Sequence, residues 1–248
     1  KRDELDPWQK FAHDIVMDPR HSLASPLRLM MLGSAGTGKS RTVRAFVGSR
    51  RERVRLEWDG QLQRATWEAS AKASAKARAE RAGGRVSGRS VAEALGVPAE
   101  DLAAYLAVER ATTERRERRA AAQLPEDPSV ARVRAMLAER IRNSCLLAAP
   151  TGCASFQLRF GASTLHRVFG VPVGYVGPWK NRGDGRYLKM KARMEQARLF
   201  VMDEMSMVGR SMLGKIEYKV RETLRGLQQG RAEDSCLGGR DTVLAGGP

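Results

Sequence analysis

Apolar positions along the chain recur with two periods. In residues 3–18, Trp8, Phe11, Ala12 and Ile15 fall at helical spacing, which predicts a helix with those four side chains toward the core. Asp6 is placed to cap it, with Pro7 at its first position. A loop with Pro19 and Pro26 leads to Leu27-Arg28-Leu29-Met30-Met31-Leu32, an apolar run read as a strand. Ser40 to Val47 predicts a helix, and the alternation from Val54 to Trp58 predicts a short strand. Helical spacing resumes over 129–142, with Val130, Val133, Met136, Leu137 and Ile141 on one face. Cys145–Ala149 and Leu199–Met202 are short, wholly apolar runs, the pattern of parallel strands buried on both faces. Met207 to Leu227 reads as an amphipathic helix with Met212, Leu213, Ile216, Val220 and Leu227 inward, and Asp241–Ala245 as a fourth strand. Strands alternating with helices predict an α/β fold with a doubly wound parallel sheet. Ligands of such sheets gather at the carboxyl ends of the strands.

Residues 61–123 interrupt this rhythm. Ala69 to Ala82 is alanine with Lys, Arg, Ser and Glu and no large apolar side chain, so a helix there has no face to bury. Gly83-Gly84 breaks it, and Pro125 and Pro128 close the segment. It reads as a basic insertion over 61–128, mostly helical or disordered, between two parts of one domain at 1–60 and 129–248. Residues 90–106 have the rhythm of a helix-turn-helix about Gly96. Two small helices packed on each other fit the same pattern, and Arg115-Arg116-Glu117-Arg118-Arg119 reads as a solvated helix end.

The chain has 248 residues, 42% of them hydrophobic, enough for a core. No run approaches the ~18 apolar residues of a membrane span, so no membrane is expected as a partner. Cys145, Cys153 and Cys236 make neither a zinc pattern nor a disulfide framework, which favours a reducing, intracellular compartment. A net charge of +16 calls for an acidic partner, most simply nucleic acid. The excess is sharpest over 151–200, which carries nine basic and two acidic side chains. A solvated face is the plain alternative for such a run.

The chemistry centres on Gly33-Ser34-Ala35-Gly36-Thr37-Gly38-Lys39-Ser40, a full G-x-x-x-x-G-K-[ST] between a strand and a helix. The glycines let successive N–H groups turn toward phosphate oxygens, and the following helix adds its positive end. Lys39 is expected to reach the β- and γ-phosphates, and the Ser40 hydroxyl to hold Mg²⁺. Asp203-Glu204, after four apolar residues, supplies the second half of such a site: Asp203 for the metal, Glu204 to orient or deprotonate the attacking water. Acids that merely cap a helix would look the same. Gln9, shortly before the loop's strand, has the amide that can pair with an adenine edge.

A dinucleotide-binding loop is excluded, because Gly36-Thr37-Gly38-Lys39-Ser40-Arg41 lacks the third glycine. A GTPase would need Asn-Lys-x-Asp; Asn181-Arg182-Gly183-Asp184 comes close, but no buried strand delivers it. A nucleotide kinase has no need of the Asp-Glu pair in this form. An ATPase that hydrolyses with water fits best. For its second ligand, Pro150, Thr151 and Gly152 end one strand, and Thr164 and His166 follow; such groups contact phosphate and sugar without reading sequence. Phe160, Phe169, Tyr175 and Trp179 interleave with Arg159, Arg167, Lys180 and Arg182, the composition of a groove for single-stranded DNA. Core burial of Phe160 and Phe169 is the alternative.

These motifs resemble those of the petite-integration-frequency (PIF) family of superfamily 1 DNA helicases. Gly33 to Ser40 is similar to its first motif. Ala149-Pro150-Thr151-Gly152 with Thr164-Leu165-His166 is similar to its Ala-Pro-Thr-Gly…Thr-x-His motif. Asp203-Glu204-Met205-Ser206-Met207 is similar to its Asp-Glu-Ile-Ser-Met, with Met205 for Ile, and Gln9 falls where the family has its adenine-reading Gln. Gly238-Gly239 and Asp241 to Gly246 resemble the approach to the next motif. The resemblance covers 3–50 and 129–246 and implies a RecA-like P-loop NTPase domain, with ATP and Mg²⁺ as cofactors. It further implies 5′→3′ movement on single-stranded DNA in repair, recombination or telomere maintenance, in nucleus or mitochondrion. Residues 61–123 have no counterpart in the family pattern. Where the family continues with Gly-Asp and Gln-Leu-Pro-Pro, the chain has Gly246-Gly247-Pro248, so an incomplete motor is expected, with the second RecA-like domain and its arginines outside it. Two other readings stay open: a helicase fragment that binds ATP or DNA without turnover, and a P-loop ATPase with a non-helicase task.

Overall fold

A computed structural model describes residues 2–22, 25–80, 98, 100–101, 103–104, 107, 128–225 and 235–247. Its elements in chain order are α1 (Pro7–Met17), β1 (Arg28–Leu32), α2 (Lys39–Glu80), α3 (Pro128–Ser144), β2 (Cys145–Ala149), α4 (Gly152–Leu158), β3 (Ser163–Thr164), α5 (Leu165–Phe169), α6 (Gly185–Gln196), β4 (Leu199–Met202), α7 (Arg210–Leu224) and β5 (Asp241–Gly246). Short 3₁₀ turns, Met205–Met207 and Cys236–Gly239, flank α7. The chain divides into one unit of Lys1–Glu52 with Ile141–Pro248, and a second of Arg53–Arg140.

The first unit is built on a five-stranded parallel sheet in the order β1-β5-β4-β2-β3. Alternation along each strand feeds two cores. Leu146, Ala148, Phe200 and Met202 pack with Leu165, Val168 and Phe169 of α5, Met194 of α6, and Ile216 and Val220 of α7. Leu147, Leu199, Val201, Val243 and Ala245 pack on the other face with Val16 of α1, Val43, Phe46 and Val47 of α2, and Leu158 of α4. Helices on both faces of a parallel sheet, with the glycine loop at one strand tip, make a RecA-like α/β domain.

At the amino ends of the strands, Asp241 ties three elements together. Its carboxylate accepts from the Leu27 N–H at 2.9 Å and from Arg50 Nη2 of α2 at 2.5 Å, with both charges largely buried. Arg51 is drawn in beside it and donates to the carbonyls of Cys145 (3.4 Å) and Phe160 (3.0 Å); burial pushes its pKa down.

Several expectations change. α1 begins at Pro7 with Asp6 as its cap, in a reciprocal capping box with Gln9, but Trp8 and Phe11 are 81% and 59% exposed. The inward side is His13 and Val16, with Ile15 packed against the core as expected and Gln9 half-buried, and His13 Nε2 meets Ser49 Oγ at 3.0 Å. The expected strand at 54–58 is helix: α2 runs unbroken from Lys39 to Glu80, through residues that are good helix formers and contain no proline. Leu56 accordingly points outward while Trp58 is buried under Arg140, whose guanidinium lies 5.4 Å from the ring centroid. In α3 Val133 is buried, but Met136 is exposed. The helix expected from Met207 starts at Arg210, after the 3₁₀ turn. Leu227 lies outside the described residues, as do the run 115–119 and almost all of the helix-turn-helix pattern at 90–106. Among the described residues, no helix is long and apolar enough to cross a membrane.

Candidate nucleotide and nucleic-acid site

Between β1 and α2 the chain must reverse and expose its amides, and two residues with positive φ allow this: Gly36 (85°) and Gly38 (80°). The loop is closed by Thr37 Oγ1 donating to Ser34 O at 2.9 Å and is fixed to the sheet by Gly33 N donating to Gly246 O at 3.3 Å. Lys39 turns back over it, its Nζ held by the carbonyls of Gly33 (2.5 Å) and Ser34 (2.9 Å). Gln9 reaches the same loop: its Nε2 donates to Thr37 O at 3.3 Å and lies where any Cβ on Gly38 would sit.

Asp203 extends β4 at its carboxyl tip, its N–H donating to Ala148 O at 2.9 Å. β5 alone separates β4 from β1, so the acid and the glycine loop share one edge of the sheet. Asp203 is 6% exposed. Burial pushes its pKa up; the Glu204 backbone N–H pulls it down, the Glu204 charge adds to the rise, and Lys39 opposes it. Lys39 and Asp203 therefore feel each other across the site. Glu204 takes a left-handed backbone (φ 55°) that sharply ends the strand and starts the Met205–Met207 turn. That turn packs against the end of β5: a Cβ on Gly246 would come within 2.9 Å of Met205 N.

The donor set fits a magnesium nucleotide. Space lies open where a Gly36 side chain would stand, Lys39 is held only by loop carbonyls among the described residues, and a buried carboxylate stands opposite. Among the described residues no group of three or more His, Cys, Asp or Glu could hold a metal alone. Ser40 and Asp203 would thus hold Mg²⁺ together with phosphate oxygens, the usual manner for this ion.

The second candidate set occupies the next strand tips. β2 ends at Ala149, Pro150 follows, and Thr151 caps α4, its side chain accepting from Ala154 N at 3.2 Å; Gly152 is the first residue of that helix. β3 pairs with β2 so that Thr164 stands beside Ala149. Thr164 occupies the cap position of α5, with no hydrogen bond from its side chain to the helix, and half-buried His166 follows on that helix. Thr151, Thr164 and His166 are thus neighbours at one end of the sheet. Arg159 and Arg167 are not gathered there. Arg159 ends α4, seven helical residues from Thr151 and on the face of α1 and α2, whereas Arg167 lies exposed on α5, on the opposite face.

The aromatics divide as well. Phe169 is core, edge-on to Phe200 at 5.3 Å, so it offers no face to a base. Trp179 is half-buried, its Nε1 donating to Thr223 Oγ1 at 3.0 Å and its ring stacked under Lys219 Nζ at 4.2 Å. Tyr175 is exposed and Phe160 partly so. Asn181-Arg182-Gly183-Asp184 is used structurally: Asp184 caps α6, and Arg182 pairs with the buried Glu222 at 2.9 Å.

The loop, the acid pair and the sheet together define a RecA-like P-loop domain. Residues 132–248 match the family model of PIF1-like helicases. No curated protein matches the sequence. Among solved structures, one of two coordinating Pif1 helicases at forked double-stranded DNA is 30% identical over 46% of this chain and 25% of that one, with a TM-score of 0.33. A Bacteroides Pif1 in complex with ADP-AlF3 and single-stranded DNA is 26% identical over 44% of this chain and 25% of that one, TM-score 0.33. The Candida albicans Pif1 helicase is 19% identical over 98% of this chain and 32% of that one, TM-score 0.49. The chain thus spans about a quarter to a third of the Pif1 chains it resembles.

Proposed function

We propose that the chain carries the ATP site and part of the DNA track of a PIF-type helicase motor. The observation that carries this reading is the order of the strand tips: glycine loop on β1, Asp203-Glu204 on β4, Thr151 on β2 and Thr164 on β3, along one edge. A change at the nucleotide end can be transmitted through adjacent strands to the backbone-contacting end. Lys39 binds the β- and γ-phosphates, Ser40 and Asp203 hold Mg²⁺, and Glu204 orients the attacking water and takes its proton. Gln9 reads the adenine edge. ATP supplies the phosphoanhydride whose cleavage is coupled to steps along single-stranded DNA, with 5′→3′ polarity. The setting is genome maintenance in repair, recombination or telomere upkeep, in nucleus or mitochondrion.

The test is anisotropy of a labelled oligo-dT, with and without a non-hydrolysable ATP analogue and Mg²⁺. Nucleotide should shift the affinity of the parent several-fold and leave that of Lys39→Ala unshifted. His166→Ala should weaken DNA binding and spare nucleotide binding. DNA affinity indifferent to nucleotide in the parent would contradict coupling between the two ends of the row.

A further inference from the structure

Arg159, Phe160 and Gly161 run consecutively at φ 61°, 53° and 75°. Only the third suits that region; an arginine and a phenylalanine there are strained, and such strain marks positions where the side chain itself is wanted. The turn is held from below. Arg51 donates to Phe160 O at 3.0 Å, and its guanidinium lies 5.6 Å from the Phe160 ring centroid. Above the turn is a cavity of about 500 Å³ lined by Glu4, Leu5, Arg41, Arg44, Ala45, Arg159 and Phe160. Its three guanidiniums face one carboxylate, Glu4, and Arg41 is already bound to the Glu4 carbonyl at 2.9 Å. Arg44 and Arg159 have no ion pair among the described residues. Phe160 keeps 40% of its surface exposed.

We propose that this groove is a second nucleic-acid contact, distinct from Thr151, Thr164 and His166, in which Arg44 and Arg159 hold backbone phosphates of a single strand and Phe160 takes a base face. It rests on the reading of the chain as a DNA motor. Planar guanidinium forks match phosphate oxygens, and an exposed ring among them suits an unstacked base. An acidic peptide would satisfy the arginines but leave the ring without a partner. α4, seven residues and on the order of 10 Å long, separates Arg159 from Thr151, while Arg41, one residue after Ser40, brings the other side of the groove toward the phosphate loop.

The experiment is anisotropy of labelled oligo-dT across a salt series, on the 248-residue chain. Arg44→Glu with Arg159→Glu should weaken binding at low salt at least tenfold and flatten the slope of log K against log salt by about 1.4, two contacts at roughly 0.7 each. Arg159→Gly should flatten it by about 0.7 while keeping or raising the thermal midpoint, since glycine relieves the positive φ. Unchanged slopes in both variants overturn the groove and leave the strand-tip track standing. A parent that binds no oligonucleotide overturns groove and proposed function together. Displacement of the oligonucleotide by inorganic phosphate at equal phosphate concentration assigns the groove to a lone anion, and displacement by poly-glutamate alone assigns it to an acidic peptide; either overturns the proposal.

Discussion

Gln9 and Gly38 touch: the Gln9 amide donates to Thr37 O at 3.3 Å and fills the place a Gly38 side chain would need. The contact sets the amide beside the phosphate loop, where an adenine edge would meet it. Gln9→Ala should reduce the preference for ATP over GTP about tenfold, the loss of one to two hydrogen bonds at roughly 1 kcal/mol each. Competition of both nucleotides against a fluorescent analogue measures the ratio, and an unchanged ratio would mean that Gln9 serves only as a helix cap.

Asp203 gives a pH signature. Its folded pKa is raised by burial, so the folded state holds the proton more tightly than the unfolded chain. The penalty for its charge is absent below the unfolded pKa, grows as pH rises toward the folded value, and is complete above it. Asp203→Asn should therefore have the higher thermal midpoint at neutral pH, with the gap closing below about pH 4. An Asn variant less stable than the parent at pH 7 would show that the carboxylate has partners beyond those seen.

Arg50 and Asp241 form the pair that ties α2 to β5. Asp241→Ala leaves a buried guanidinium unpaired and should cost about 3–5 kcal/mol in urea unfolding. Arg50→Met with Asp241→Leu should recover only part of this, because the Leu27 N–H also loses its acceptor. A single-variant loss below about 1 kcal/mol would place the pair among weak surface bridges.

Glu204 is assigned to the water. Glu204→Gln should keep Mg·ATP affinity and lower turnover by about 10²-fold or more. Phosphate release under saturating ATP reads this, and equal turnover would return Glu204 to the role of a chain-reversing residue.

What the sequence revealed depended on how local the cause was. Gly33 to Ser40 and the apolar runs of β2, β4 and β5 were legible because each is decided by neighbours in the chain. The inward face of α1 was legible only in part: Ile15 packs on the core, but Gln9 and His13 also turn inward, polar residues whose partners, Thr37 and Ser49, come from elsewhere. α6 went unassigned because its buried positions, Tyr187 and Met194, stand among four Lys and Arg. β3 has two residues, too few for any period. Arg50, Arg51 and Asp241 carried no signal, since the Arg50–Asp241 pair spans 191 positions and the Arg51 bonds to Cys145 and Phe160 span 94 and 109. The strained turn at Arg159-Phe160 was equally hidden, because nothing in the composition there demands positive φ.

The central claim is that Gly33–Ser40 with Asp203 and Glu204 forms one ATP site. Calorimetric titration of Mg·ATP into the parent and into Lys39→Ala tests it most directly. Lys39 contacts only loop carbonyls among the described residues, so its removal should leave the thermal midpoint unchanged. The account predicts saturable binding by the parent and none by the variant. Equal affinity in both would contradict it.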